Sequence, residues 1–87
     1  MNYRVLISNK AQKDLNRLDR KYLQVVENMI AKLATDPLKG KKLSDNLKNL
    51  RSVRVGVYRI IYSMAKKELI ITVVSVDHRQ GVYRRLK

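Results

Sequence analysis

The apolar residues of this chain change their period once, and the change falls at Pro37. Upstream, Tyr22, Val25, Val26, Met29, Ile30 and Leu33 recur at i, i+3, i+4, i+7, i+8 and i+11, the spacing of one face of an α-helix. Downstream, from Leu50 to Val76, apolar and polar residues alternate in steps of two, the spacing of a strand with one buried face. The two periods cannot share one element, so the first half must supply helix and the second half sheet. Pro37 enforces the stop, because its ring removes a backbone donor and disfavours helical backbone at Asp36.

The remaining elements follow from this division. Tyr3-Arg4-Val5-Leu6-Ile7 is short and β-branched, and reads as a strand ending at Ser8-Asn9. Ser8 suits the N-cap of a short amphipathic helix on Ala11, Leu15 and Leu18, ending near Asp19. Leu50–Val55, Tyr58–Met64 and Leu69–Val76 are expected strands. Gly56 permits a tight reversal between the first two, and Ala65-Lys66-Lys67-Glu68 makes the next turn. Residues 69–74 are apolar at both parities, as a central strand requires. Asp36 to Asn49 reads as a polar connector pinned by Leu38, Leu43 and Leu47. The order β-α-α-β-β-β predicts one α+β domain over residues 1–87, with two helices on one face of a mostly antiparallel four-stranded sheet. Tyr22 and Met29 belong to the core stripe in this reading.

Composition narrows the chemistry. The 87 residues include no cysteine and one histidine, which removes thiol catalysis, disulfides and the common zinc ligand sets. There is no glycine-rich phosphate loop, and no cofactor or metal is expected. No apolar run approaches the ~20 residues of a membrane span, and the N-terminus lacks a signal-peptide pattern. A cytoplasmic protein without a membrane partner is therefore expected. Lys and Arg number 20 against 7 Asp and Glu, a net charge of +13. Such a field attracts polyanions, RNA foremost. Basic residues are shared evenly between the halves, but after Asp45 only Glu68 and Asp77 are acidic, so the sheet half is the better candidate for the anion-binding face.

Alternation distributes the side chains of that half. Arg51, Val53 and Val55 share one face of their strand, and Leu50, Ser52 and Arg54 the other. Arg59, Ile61 and Ser63 oppose Tyr58, Ile60, Tyr62 and Met64. A reversal at Gly56 brings Arg54 near Arg59, and His78, Arg79 and Tyr83 follow the last strand, so these groups are expected to converge at one end of the open sheet face. Guanidiniums around a phosphate bind it bidentately and stabilise the charge that develops in phosphoryl transfer. If an RNA 2′-hydroxyl is the nucleophile, neither metal nor protein nucleophile is required. The protein must orient the sugar, hold the phosphate and move protons. Tyr83 or His78 could serve as base or acid, and Tyr58, Tyr62 or Tyr83 could instead stack a base. Lys41 and Lys42 of the connector could reach a backbone phosphate.

The run from Leu50 to Tyr62, then Val76-Asp77-His78-Arg79 and Val82-Tyr83, resembles the RelE/ParE superfamily of bacterial and archaeal toxins. Ser8 to Leu15 and Asp36-Pro37-Leu38 match its N-terminal half. The resemblance implies a RelE-like fold and a toxin neutralised by a cognate antitoxin. For the RelE side it implies a ribosome-dependent, metal-independent mRNA endoribonuclease. Such enzymes cut mRNA in the ribosomal A site, leaving a 2′,3′-cyclic phosphate, so its partners would be the ribosome, its 16S rRNA backbone and mRNA. DNA would be met only through an antitoxin complex. By the same resemblance Arg59 holds the phosphate, Arg79 stabilises the transition state and Tyr83 orients the sugar or acts as base. Arg54 matches the second of two basic positions, and Ser52 stands at the first. Arg51 is the basic neighbour that could take that role, with Ser52 beside it in substrate binding, and His78 would be a proton donor. ParE-type members share the fold and poison DNA gyrase, which gives the alternative function. A third possibility is an RNA-binding module without activity.

Overall fold

The computed structural model describes residues 2–43 and 49–78. The elements run β1 (Arg4–Ile7), α1 (Asn9–Asn16), α2 (Arg20–Leu33), β2 (Lys41–Lys42), β3 (Leu50–Val55), β4 (Tyr58–Ala65) and β5 (Ile70–His78). One sheet of order β1-β5-β4-β3-β2 joins them, with β1 parallel to β5 and every other pair antiparallel. The expected α+β arrangement holds, with five strands where four were expected. Among the described residues no helix is long and apolar enough to cross a membrane.

Ser8 places α1. Its Oγ accepts from the Ala11 amide at 3.0 Å and donates to the Val74 carbonyl at 2.8 Å, so one hydroxyl caps the helix and ties it to β5. β1 pairs with β5 only as far as Val73, and α1 covers the edge beyond. There Asp14 Oδ2 accepts from the Val76 amide at 2.9 Å, satisfying a donor that a missing strand would have taken. α1 stops at Asn16, short of the expected Asp19, because Asp19 is the N-cap of α2 and its carbonyl accepts from Leu23.

Val26, Ile30 and Leu33 of α2 join Ala11 and Leu15 of α1 against Val53, Val55, Ile60, Tyr62, Ile71, Val73 and Val76 of the sheet. Each large apolar side chain so buried contributes ~1.5–3 kcal/mol. The apolar stripe of α2 is wider than the contact it makes. Tyr22 is 44% and Val25 50% exposed, so Tyr22 does not belong to the core, whereas Met29 packs against it.

The fifth strand comes from the connector. Tyr62, fully buried on β4, donates from its hydroxyl to the Pro37 carbonyl at 2.7 Å and accepts from the Gly40 amide at 2.9 Å. Arg51 donates from Nε to the Gly40 carbonyl at 3.0 Å and from Nη2 to that of Leu38 at 3.4 Å. These polar bonds fix the described part of the connector. Of the leucines expected to pin it, Leu38 is 57% exposed, Leu43 is half-buried and Leu47 lies outside the described residues. Gly40 must be glycine for space, since a Cβ there would stand 2.6 Å from the Tyr62 hydroxyl and 2.7 Å from the Ser52 carbonyl oxygen. Held this way, Lys41 and Lys42 pair with Ser52 and Arg51 of β3.

Candidate functional site

Gly56 and Val57 alone link β3 to β4. Gly56 has φ +60°, and a Cβ added to it would meet nothing within 4 Å, so its conformation, not space, requires glycine. A left-handed residue at the first of two loop positions is the demand of a type II′ hairpin. The turn fixes the register: Val55 opposes Tyr58, Arg54 opposes Arg59, Val53 opposes Ile60 and Ser52 opposes Ile61. Because Val53, Val55 and Ile60 are buried under the helices, Arg54, Arg59, Ser52 and Ile61 lie on the face turned away from them, the open face, which no described helix covers.

Two rows of that face matter. At the hairpin end run Arg54, Arg59 and Asp77, and one step inward run Lys41, Ser52, Ile61 and Ser75. Arg54 is exposed and Arg59 half-buried. Asp77 also lies 3.8 Å from Lys10 Nζ, and its Oδ2 accepts from the Ser75 hydroxyl at 3.3 Å. Like charges directly opposed on a sheet are destabilising. The Arg54–Arg59 pair is therefore a cost to the fold, and it matches an anionic ligand set between the two guanidiniums.

The structure does not bring every expected residue to this row. His78 opposes Tyr58, not Arg59, and so stands on the helix side, its ring edge-on to Tyr58 at 5.4 Å; Tyr58 in turn meets Tyr22 at 5.7 Å. The physical reason is a bulge. Ile61 pairs with Ser75 but Tyr62 pairs with Val73, leaving Val74 as an extra residue. Continued from buried Ile71 and Val73, strict alternation would carry His78 to the open face; the bulge reverses the parity and turns it under the sheet. Arg51 likewise stands on the helix side, its guanidinium spent on two carbonyls. Lys42 is its partner there, while Lys41 shares the open face with Ser52. Tyr62 is 0% exposed and cannot stack a base. Arg79 and Tyr83 lie outside the described residues. Asp77 is the row neighbour that sequence reasoning missed, since its place beside Arg59 depends on the β4–β5 register.

A family model described as the ParE toxin of type II toxin-antitoxin systems matches residues 5–83. Toxin RelG of Mycobacterium tuberculosis is 36% identical over 87 residues, 98% of this chain and 100% of the relative. Toxin RelE of the same organism is 32% identical over 84 residues, 94% of this chain and 87% of the relative. The toxin in the crystal structure of the RelBE2 toxin–antitoxin complex of M. tuberculosis is similar with a TM-score of 0.85 at 31% identity, covering 91% of this chain and 93% of the other.

Proposed function

We propose, because this chain belongs to the RelE/ParE superfamily of type II toxin–antitoxin toxins, that it is an mRNA endoribonuclease acting in the ribosomal A site, held inactive by a cognate antitoxin. The observation that carries this reading is the Arg54–Arg59 cross-strand pair on the open face. In the proposed reaction the RNA 2′-hydroxyl attacks the adjacent phosphorus, the 5′-oxygen of the next nucleotide leaves, and a 2′,3′-cyclic phosphate forms. Arg54 and Arg59 hold the non-bridging oxygens and gain strength as charge accumulates there. Arg79 adds a third guanidinium. Tyr83 orients the sugar or takes the 2′-proton, and a proton returns to the leaving oxygen from water, since His78 stands on the helix side of the sheet. No step needs a metal ion. In this reading Ser52 and Lys41, one row inward, meet the neighbouring phosphate.

Primer extension on mRNA from a translating lysate given the purified protein tests the proposal. New 5′ ends within codons are expected, and message that stays intact overturns it. The second reading, a ParE-like inhibitor of DNA gyrase, is favoured by the ParE description of the family model and by Ser52 at a position where a basic residue is expected. Arrest of gyrase supercoiling with intact message would establish it.

A further inference from the structure

The sheet carries a second pair of opposed cations. Lys42 of β2 is the Cα partner of Arg51 of β3, and with them Lys66 and Lys67, exposed in the β4–β5 turn, line a cleft of about 380 Å³. Among the described residues of its lining Glu68 is the one acid and Met64 the one apolar side chain. This cleft lies at the end of the sheet away from the hairpin and on the opposite face from Arg54 and Arg59. Like the first pair, two cations opposed across neighbouring strands cost the fold stability. Arg51 is already immobilised by the Gly40 and Leu38 carbonyls, so little side-chain entropy remains to be lost on meeting a ligand.

We infer that the Lys42–Arg51–Lys66–Lys67 cleft is a second RNA-backbone site, separate from the reacting phosphate. A protein segment would want aromatic or apolar anchoring pockets, of which the described lining offers Met64 alone, whereas a phosphate chain needs only cations. The edge strand β2 connects the two sites. Its consecutive lysines point to opposite faces, Lys41 beside Ser52 on the open face and Lys42 beside Arg51 in the cleft. The same RNA, or a neighbouring helix of it, can thus be held round the β2 edge while the reacting phosphate sits at the hairpin. The inference rests on RNA being the target.

The test uses a fluorescent, uncleavable 2′-O-methyl RNA and reads binding by anisotropy over a range of salt. Lys66→Gln/Lys67→Gln should lower affinity about 20-fold at 0.1 M salt and reduce the salt slope by ~1.4, the value for two lost single-strand phosphate contacts. Lys66→Arg/Lys67→Arg should retain both. Lys13→Gln/Lys32→Gln, which removes the same charge from the helices, should change affinity only a few-fold. An equal loss in the helix variant would mean that net charge alone acts, and would overturn the site. So would an unchanged slope in the turn variant, or a loss of antitoxin binding by that variant with RNA binding intact. If the unmodified protein shows no salt-dependent RNA binding at all, it is the RNA target itself that fails.

Discussion

Arg54 and Arg59 are direct cross-strand partners on the open face of the sheet, and this one relationship gives function and stability opposite signs. Two guanidiniums opposed across a hairpin repel, at a cost of ~0.2–1 kcal/mol. Replacing Arg54 by Ala should therefore leave the protein as stable or slightly more stable in urea, while mRNA cleavage falls roughly 100-fold, as expected for removal of a preorganised oxyanion partner. Arg59→Ala should do the same to cleavage. A variant that loses stability and activity together would assign Arg54 a structural role instead.

His78 gives a second prediction because it faces Tyr58 rather than the arginine row. His78→Phe keeps an aromatic ring against Tyr58 and removes the titratable group. Cleavage by this variant is expected to stay within about tenfold of the parent, well above the 10²–10⁴-fold range of a lost general acid. A pH–rate profile that loses one limb in His78→Phe would restore the histidine as proton donor.

The Tyr62 hydroxyl bridges the Pro37 carbonyl and the Gly40 amide inside the core. Tyr62→Phe leaves both groups without that partner, at an expected cost of about 1–3 kcal/mol by urea unfolding. Faster amide exchange should be confined at first to Gly40 and the β2 pairing it positions. Gly40→Ala attacks the same joint from the other side, since its Cβ meets the hydroxyl and the Ser52 carbonyl oxygen, and a cost of about 1–3 kcal/mol is expected.

Asp14 ties α1 to the edge of β5 through the Val76 amide and holds Lys10 at 3.0 Å. Asp14→Ala strands that half-buried donor, and a loss of about 1.5–3 kcal/mol is expected, as for hydrogen bonds to charged groups. Lys10→Ala removes the partly exposed ion pairs to Asp14 and Asp77 and should cost under ~1 kcal/mol. Equal losses in the two variants would show that the ion pair, not the backbone cap, is what matters.

Much of this architecture is legible in the chain itself. The 3.6-residue stripe over Tyr22 to Leu33, the stop at Pro37 and the alternation from Leu50 onward are local signals, and each falls where its element forms. So does the hairpin at Gly56, because one left-handed residue between two alternating runs leaves few registers open. That is why the Arg54–Arg59 pairing could be anticipated from spacing. The strand at Lys41–Lys42 could not be, since two residues carry no period and their pairing depends on Tyr62 and Arg51, which reach them from β4 and β3.

What the sequence determined by itself was the division into helix and sheet, the open face with its two arginines, and an excess of positive charge suited to a polyanion. What only the tertiary structure decided was parity and edge. An unsignalled bulge at Val74 turned His78 beneath the sheet, and the β4–β5 register set Asp77 beside Arg59. The reason is physical. A strand's alternation reports which residues share a face only until one extra residue is inserted, and insertion is settled by the partner strand, not by the residues that bulge.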